Sequence, residues 1–303
     1  MKQTFITKNF TESSLSIITL ANSIIDEYSA QGYQLTLRQL YYQFVAKDWL
    51  PNSQQSYNRL GSIITDARLA GFVDWRAIED RTRSVNSWIT NEDPETALED
   101  IEYKIGGEYW KDQGIYIEVW IEKEALADVI MRPCAELSVP YLACKGYLSA
   151  SEAYRAGKRF ERALSEGRKG VLIHLGDHDP SGIDMTRDNA ERLKMFSSDT
   201  FGDIKVERIA LNMDQIEEYA PPPNPAKVTD SRAKEYIDNY GRASWELDAL
   251  EPRILTSLVT DAIDEYRDLA TWHETERRVE EIKERLICLR ENWLDVNDFL
   301  VNL

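Results

Sequence analysis

Residues 169–185 read KGVLIHLGDHDPSGIDM. A short apolar run ends abruptly in Asp177 and Asp179, one residue apart, and Pro180 and Gly182 follow at once. The run has the length and composition of a buried strand. Pro180 and Gly182 make a tight turn that presents both carboxylates outward. Two like charges at one strand end serve either the turn or a cation. Asp-x-Asp-Pro is ordinary turn chemistry, so the motif alone leaves both readings open. If the strand pitch persists, His178 points away from its neighbours and is not expected to be a ligand.

Working outward, "IYIEVWI" (115–121), "VPYLAC" (139–144) and "IKVERIAL" (204–211) read as further strands. Helices are expected over 124–137, 149–165 and 181–195. Strands alternating with helices imply βαβ units, a parallel sheet and an α/β class. Ligands of such sheets bind outside the carboxyl ends of the strands. The first strand ends at Glu122, which puts Glu122, Asp177 and Asp179 on one rim. The strand order is not readable, but adjacent strand ends would bring the three together. Hard oxygen donors with Lys123 as the one nearby base favour Mg²⁺ or Mn²⁺ over zinc.

Residues 1–90 read as helices with short breaks. Leu15, Ile18, Ile25 and Tyr28 mark one apolar face, "TLRQLYYQFVAKDWL" is a second helix with Thr36 as N-cap, and "SQQSYNRLGSIITDARLAG" is a third, capped by Ser53. "FVDWRAIEDRTR" then reads as an extended, partly basic piece. Three helices and a flap suit a winged-helix or other helix-turn-helix module as well as a plain helical bundle. On the second helix Leu37, Leu40, Tyr41, Phe44 and Val45 form the core face. Tyr42 is rotated about 100° from Tyr41, and Arg38, four residues earlier, shares its face. A tyrosine turned outward beside a guanidinium suits attack on a phosphodiester, since arginine holds phosphate oxygens in a bidentate manner. It also eases deprotonation of a phenol whose ordinary pKa is about 10.

The chain has 303 residues, 36 basic and 53 acidic side chains and a net charge of −17. That total argues weakly against nucleic acid, but a local patch decides binding. Residues 91–112 and 241–303 are the acidic regions, whereas 31–90 carry seven bases against five acids. Arg59 and Arg68 on the third helix, and Arg76, Arg81 and Arg83 on the flap, form a candidate DNA track. Lys123, Lys227, Arg232 and Lys234 extend it. Cys134, Cys144 and Cys288 lack metal-ligand spacing and suit a reducing, cytoplasmic setting. No apolar run approaches a membrane span, and no G-x-x-x-x-G-K-[ST] loop offers a nucleotide site. The expected organisation is a helical, winged-helix-like unit over 1–90, an acidic linker or helical spacer over 91–113, a sheet domain over 114–220, and a Pro-rich loop with a helical extension over 221–303. "APPPNPAK" (220–227) is expected to be a loop. Val279, Ile282, Leu286, Leu289 and Trp293 form a seam of about two heptads, which packs on its own domain or makes a dimer contact.

Glu at one strand end followed by Asp-x-Asp-Pro-x-Gly at a later one resembles the Toprim domain, a Rossmann-like fold that binds Mg²⁺ through those acids. The form "IEKEA…GDHDPSG" is most similar to the A subunit of type IIB DNA topoisomerases and the related meiotic double-strand-break transesterase. That family places a winged-helix domain, with a nucleophilic tyrosine in an Arg-x-x-Tyr-Tyr type motif, before the Toprim domain, and "LRQLYYQF" stands in the corresponding place. The resemblance covers roughly residues 30–210. It implies that Tyr42 forms a covalent link to a 5′ DNA end with Mg²⁺ on Glu122, Asp177 and Asp179. It also implies a homodimer in which the tyrosine of one subunit meets the metal site of the other, and a separate ATPase subunit for strand passage. A hydrolytic Toprim nuclease and a non-catalytic DNA-binding protein are the alternatives.

Overall fold

The computed structural model describes residues 2–78, 93–197, 204–225 and 232–302. Helices α1 (Glu12–Ala30), α2 (Leu37–Ala46) and α3 (Gln54–Leu69) each start on a hydroxyl cap. Thr11, Thr36 and Ser53 accept a backbone N–H from Ser14, Gln39 and Ser56, and Thr36 with Gln39 closes a reciprocal capping box. Their apolar stripes meet in one core that includes Ile18, Ile24, Leu40, Phe44, Leu60 and Ile64. Leu15, expected on that face, is exposed, and Ile17 and Ile24 take the inward positions. The described part of the flap, residues 72–78, is turns and bends and not the extended chain expected, apart from an isolated parallel bridge between Leu35 and Ile78. Arg81 and Arg83 lie outside the described residues.

The described part of the acidic stretch is helical: α4 (Pro94–Lys104) is capped by Asp93 with Pro94 in its first turn, and α5 (Tyr109–Asp112) follows. The core then builds from β1 (Ile115–Ile121), α6 (Ala127–Glu136), β2 (Tyr141–Ala143), α7 (Ala150–Ser165), β3 (Lys169–Leu175), α8 (Pro180–Phe196) and β4 (Ile204–Ala210). These strands form a four-stranded parallel sheet of order β2-β1-β3-β4, a Rossmann-like α/β arrangement. Strand β1 runs in register with β3 from Ile115–Lys169 to Ile121–Leu175. The inner strands are buried on both faces, which is why they read as near-continuous apolar runs. Helix α6 packs on one face with Val129 and Ile130, and α7 covers the other with Ala156 and Phe160. The chain therefore changes direction between β1 and β3, and a ligand crevice is expected at such a switch point.

Beyond the sheet come α9 (Met213–Tyr219), β5 (Asn224–Pro225), α10 (Ala233–Tyr240), β6 (Ala243–Ser244), a 3-10 turn at Leu247–Ala249, α11 (Pro252–Asp264), α12 (Leu269–Glu291) and α13 (Trp293–Val301). The proline-rich stretch is not wholly loop, because Asn224–Pro225 pairs antiparallel with β6. A proline is tolerated there because a two-stranded ribbon is all edge. Of the expected seam, Val279 is buried, Leu286, Leu289 and Trp293 are half-buried and Ile282 is exposed, while Arg290 of the same helix reaches Glu99 and Glu102 of α4 at 3.8 and 3.4 Å. Among the described residues no helix is long and apolar enough to cross a membrane. The three cysteines are free.

One core residue makes stability depend on pH. His174 of β3 is fully buried, its Nδ1 lies 2.8 Å from the Thr186 hydroxyl, and burial pulls its pKa down to about 3. The folded state thus keeps the ring neutral where the unfolded chain, with an ordinary pKa near 6.5, binds a proton. Stability from this group is full above pH ~6.5 and is lost as pH falls toward about 3. Between pH ~6.5 and ~5 the loss is about 2 kcal/mol. Urea unfolding of wild type and His174→Gln at both pH values checks this: the variant is expected to lose less on acidification, and equal losses would exclude His174 as the source.

Candidate functional site

The sheet order brings the two acidic strand ends together. The Glu122 N–H donates to Leu175 O at 2.9 Å, and the Asp177 N–H donates to Glu122 Oε2 at 2.8 Å. Glu122, Asp177 and Asp179 are 9 %, 6 % and 9 % exposed, so all three are effectively out of water. Their tasks differ. Asp179 caps α8, accepting from the Gly182 N–H at 2.7 Å and the Ser181 hydroxyl at 2.8 Å. Pro180 occupies the first turn, and Gly182 is required because a Cβ there would collide with the Asp177 carbonyl. Asp177 faces away from the cap: Oδ1 accepts the Leu247 N–H at 2.8 Å and Oδ2 lies 3.0 Å from Lys123 Nζ. His178 takes no part. It pairs its backbone with Trp245 in both directions, and its Nδ1 lies 2.8 Å from the Tyr236 hydroxyl.

Lys123 was expected to face DNA, and the structure corrects this. Its Nζ is buried between Asp248 at 2.6 Å, Glu246 at 2.9 Å and Asp177 at 3.0 Å. Burial alone would lower its pKa, but Asp177, Asp248 and Glu246 outweigh burial and raise it. Glu246 in turn receives Arg38, whose Nε and Nη2 donate to it at 3.0 and 2.6 Å. Burial pushes Glu246 up, yet Lys123 and Arg38 hold its carboxyl below the ordinary value. A chain of contacts therefore runs from α2 through Arg38, Glu246 and Lys123 to Asp177, within one copy of the chain.

Tyr42 is also corrected. The helical angle did separate it from Tyr41, whose hydroxyl donates to Ser53 O at 3.0 Å. Yet Tyr42 is not turned to solvent; it is 3 % exposed. Its second face is covered because α2 packs on the turn at 247–249 and on β5, and Asn224 Nδ2 donates to the phenol oxygen at 3.2 Å. Burial raises the phenol pKa, with Glu246 adding to it, while Asn224 and Arg38 pull the other way without cancelling the rise. A cleft of about 240 Å³ lined by Arg38, Tyr42, Tyr57, Asn224 and Glu246 opens beside it.

Lys123 is not the one base near the acids. Arg208 of β4 donates through Nη2 to the carbonyls of Asp177 at 2.6 Å and Gly176 at 2.8 Å, and burial lowers its pKa to about 10. Sequence reading missed Arg208, Asn224, Glu246 and Asp248. A signal existed for two of them: "SWELDAL" repeats at Glu246-x-Asp248 the acid spacing of Asp177-x-Asp179. Among the described residues, Lys123, Arg38 and Arg208 are the bases set against Glu122, Asp177, Glu246 and Asp248.

That excess of acid is the test of whether a divalent cation suits the site. Burial raises Glu122 and pushes Asp177 up to about 7, and Asp248 Oδ1 is buried without a hydrogen-bond partner. A buried set of hard oxygen donors that is short of positive charge fits Mg²⁺ or Mn²⁺ in its chemistry. As folded here, no three such side chains among the described residues are arranged as a metal site.

The other expected DNA contacts disperse. Arg59 is exposed and donates to Ser13 Oγ at 2.9 Å. Arg68 is engaged in its own unit, with Nη2 on Trp75 O at 2.6 Å and its guanidinium 4.6 Å from the Trp75 ring centroid. Arg76 is exposed, Arg232 pairs with Asp184 at 2.9 Å, and Lys227 lies outside the described residues. Compared with protein-family models, curated proteins and solved structures, the chain matches none.

Proposed function

We propose that this chain cleaves DNA by transesterification, with Tyr42 as nucleophile and a Toprim-type acid cluster, Glu122, Asp177 and Asp179, as the holder of Mg²⁺ or Mn²⁺. The observation that carries the reading is the continuous link from the Tyr42 cleft through Arg38, Glu246 and Lys123 to Asp177. A phenol, a guanidinium, an ammonium and buried carboxylates at one crevice are the groups that phosphoryl transfer needs. Arg38 orients a phosphate, taking its oxygens where it now takes the Glu246 carboxylate. Lys123 offsets charge on the non-bridging oxygens. Glu246, released by Arg38, would take the phenol proton as the tyrosine O–P bond forms and the P–O3′ bond breaks, and would return it to the departing 3′ oxygen. Glu122, Asp177 and Asp179 would hold the cation, which would supply electrostatic stabilisation of negative charge on the phosphate. This link lies within one chain, so a second copy is needed only to cut the second strand. In this reading residues 1–90 are the winged-helix-like DNA-binding unit and an ATPase acts, if at all, from a separate subunit.

Hydrolysis by a metal-activated water is the second reading. It is favoured by the raised phenol pKa and by the Asn224 hydrogen bond that holds Tyr42 in place. Supercoiled plasmid incubated with the protein and Mg²⁺, then analysed with and without protease, separates the two. Linear product that enters the gel only after protease is expected. Linear product independent of protease would establish hydrolysis, and intact plasmid with every divalent ion would reject both.

A further inference from the structure

Among the described residues, α7 carries a concentrated basic face that the rim does not use. Residues 150–169 hold six bases, Arg155, Lys158, Arg159, Arg162, Arg168 and Lys169, against Glu152, Glu161 and Glu166. Arg155, Lys158, Arg159 and Arg162 follow the i, i+3, i+4, i+7 spacing and so lie on one side of α7. The opposite side, with Ala153, Ala156, Phe160 and Ala163, is buried on the sheet. Together with Tyr116, Tyr154 and Arg168 the stripe lines an open cleft of about 440 Å³.

This cleft is anchored from below. Glu118 of β1 is 2 % exposed and grips Arg159 through two bonds, Nε to Oε1 at 2.8 Å and Nη2 to Oε2 at 3.0 Å. It also accepts from the Tyr116 hydroxyl at 2.5 Å and the Trp120 indole at 2.8 Å. Arg159 is thereby a fixed strut that sets the rotation of α7. Strand β2 pairs only with Val119–Ile121, which leaves the β1 segment bearing Tyr116 without that neighbour. Above the strut, Arg155 meets Glu152 at 3.3 Å, Lys158 meets Glu161 at 2.7 Å, and Arg168 meets Glu166 at 2.8 Å. The Arg155–Glu152 and Lys158–Glu161 pairs are solvent-accessible pairs within one helix, which are weak and yield to a stronger anion, whereas Arg168 is largely covered. Arg162 is exposed, and Arg168 keeps a buried Nε without an acceptor. Tyr154 is half-exposed, with Lys158 Nζ 5.8 Å from its ring centroid.

We propose that this face is a second DNA contact, along which the phosphate backbone of a duplex lies, separate from the rim that carries Tyr42 and Asp177. The proposal rests on the reading that the chain acts on DNA only for the identity of the occupant. The arrangement favours a polymer over a small anion. The stripe from Arg155 to Arg162 is about 10 Å long, and its bases are spread along the helix instead of converging on one point. Duplex DNA presents a charge every ~1.7 Å of axis and so faces such a stripe with several phosphates at once. Tyr116 and Tyr154 give the rim of the cleft an apolar wall against the sugar edge.

The test uses the full chain and the variant Arg155→Ala/Lys158→Ala/Arg162→Ala, which leaves Arg159 and the rim intact. Binding of a fluorescent duplex is followed by anisotropy across a salt series. The variant is expected to bind roughly 10- to 100-fold more weakly near 0.1 M salt, with a slope of log K against log salt shallower by about 2–3. Its melting temperature stays close to that of wild type, because surface pairs contribute little. A photo-crosslinking residue at position 154 is expected to capture the duplex. Unchanged affinity and slope, or no crosslink, overturns the proposal and leaves the cleavage reading standing. Normal binding by wild type without strand cleavage does the reverse. No binding of duplex by wild type removes both. Tripolyphosphate that binds wild type more tightly than the duplex does, and is lost in the variant, identifies a small polyanion and overturns the proposal.

Discussion

Tyr42→Phe is expected to abolish covalent protein–DNA adducts while leaving the fold in place. Removing the attacking oxygen from an enzyme that uses covalent catalysis lowers the rate by roughly 10⁴- to 10⁶-fold. The structural cost is small, since the phenol oxygen makes one 3.2 Å bond with Asn224, and a lost bond of this kind costs about 1 kcal/mol. The ring still fills the same space. Adducts are read by protease-dependent gel entry of labelled DNA, and the fold by circular dichroism and melting temperature. Persistent adducts in Tyr42→Phe would remove Tyr42 from the mechanism. Loss of adducts with full retention of protease-independent cleavage would assign the site to hydrolysis. The buried state of Tyr42 adds a directional expectation. Asn224→Ala removes the one side-chain hydrogen bond that favours the ionised phenol, so adducts should form more slowly than in wild type.

Lys123→Met is expected to produce the largest loss of stability among single changes at the rim. Lys123 Nζ sits within 3.0 Å of Asp177, Glu246 and Asp248, and the Asp248 side chain has no exposure at all. Methionine keeps the length of the side chain and removes its charge. The carboxylates are then buried with Arg38 and Arg208 alone to offset them, and breaking such a set costs about 3–5 kcal/mol. For a chain of this size that is a fall in melting temperature on the order of 10 °C. The double variant Lys123→Met/Asp248→Asn should recover part of it, because one of the orphaned charges goes too. Added Mg²⁺ should stabilise Lys123→Met more than wild type if these acids accept a divalent ion. A Lys123→Met variant as stable as wild type would show that Lys123 is not the internal counter-ion described here.

The elements of the sheet were legible because their signals are local. Apolar runs of strand length and the helix that begins near Ser149 follow from a few neighbouring residues, whereas Pro180–Gly182, read as a turn presenting both acids outward, is the first turn of α8 and the acids are buried. Observed bounds differ from the expected ones by one or two residues in most cases; the exceptions are β2, three residues where six were read, and α6, which begins at Ala127 after a 3-10 turn instead of at 124. The Glu122–Asp177 pairing was half legible. A strand-end rule puts both acids on one rim, but only the order β2-β1-β3-β4 makes them neighbours. Arg208 escaped because it stands mid-strand in a run that reads as half-polar, with no motif around it. Glu246 and Asp248 escaped because they are some 70 residues downstream of the acids they join, in a region that reads as acidic surface.

The sequence by itself determined the alternation of strands and helices, the caps at Thr36 and Ser53, and the types of residue at the rim. Those depend on spacing within one or two turns of chain. The tertiary structure decided what the residues do to one another. It buried Tyr42 under β5, turned Lys123 from a surface base into the centre of an acid cluster, and left Asp179 as a helix cap while Asp177 joined the network. Periodicity states which side chains share a face, but burial and charge depend on what another part of the chain lays over that face. Here the covering segment, 224–249, is far along the chain, and its contacts with α2 and with the sheet rim exist only once the chain has folded.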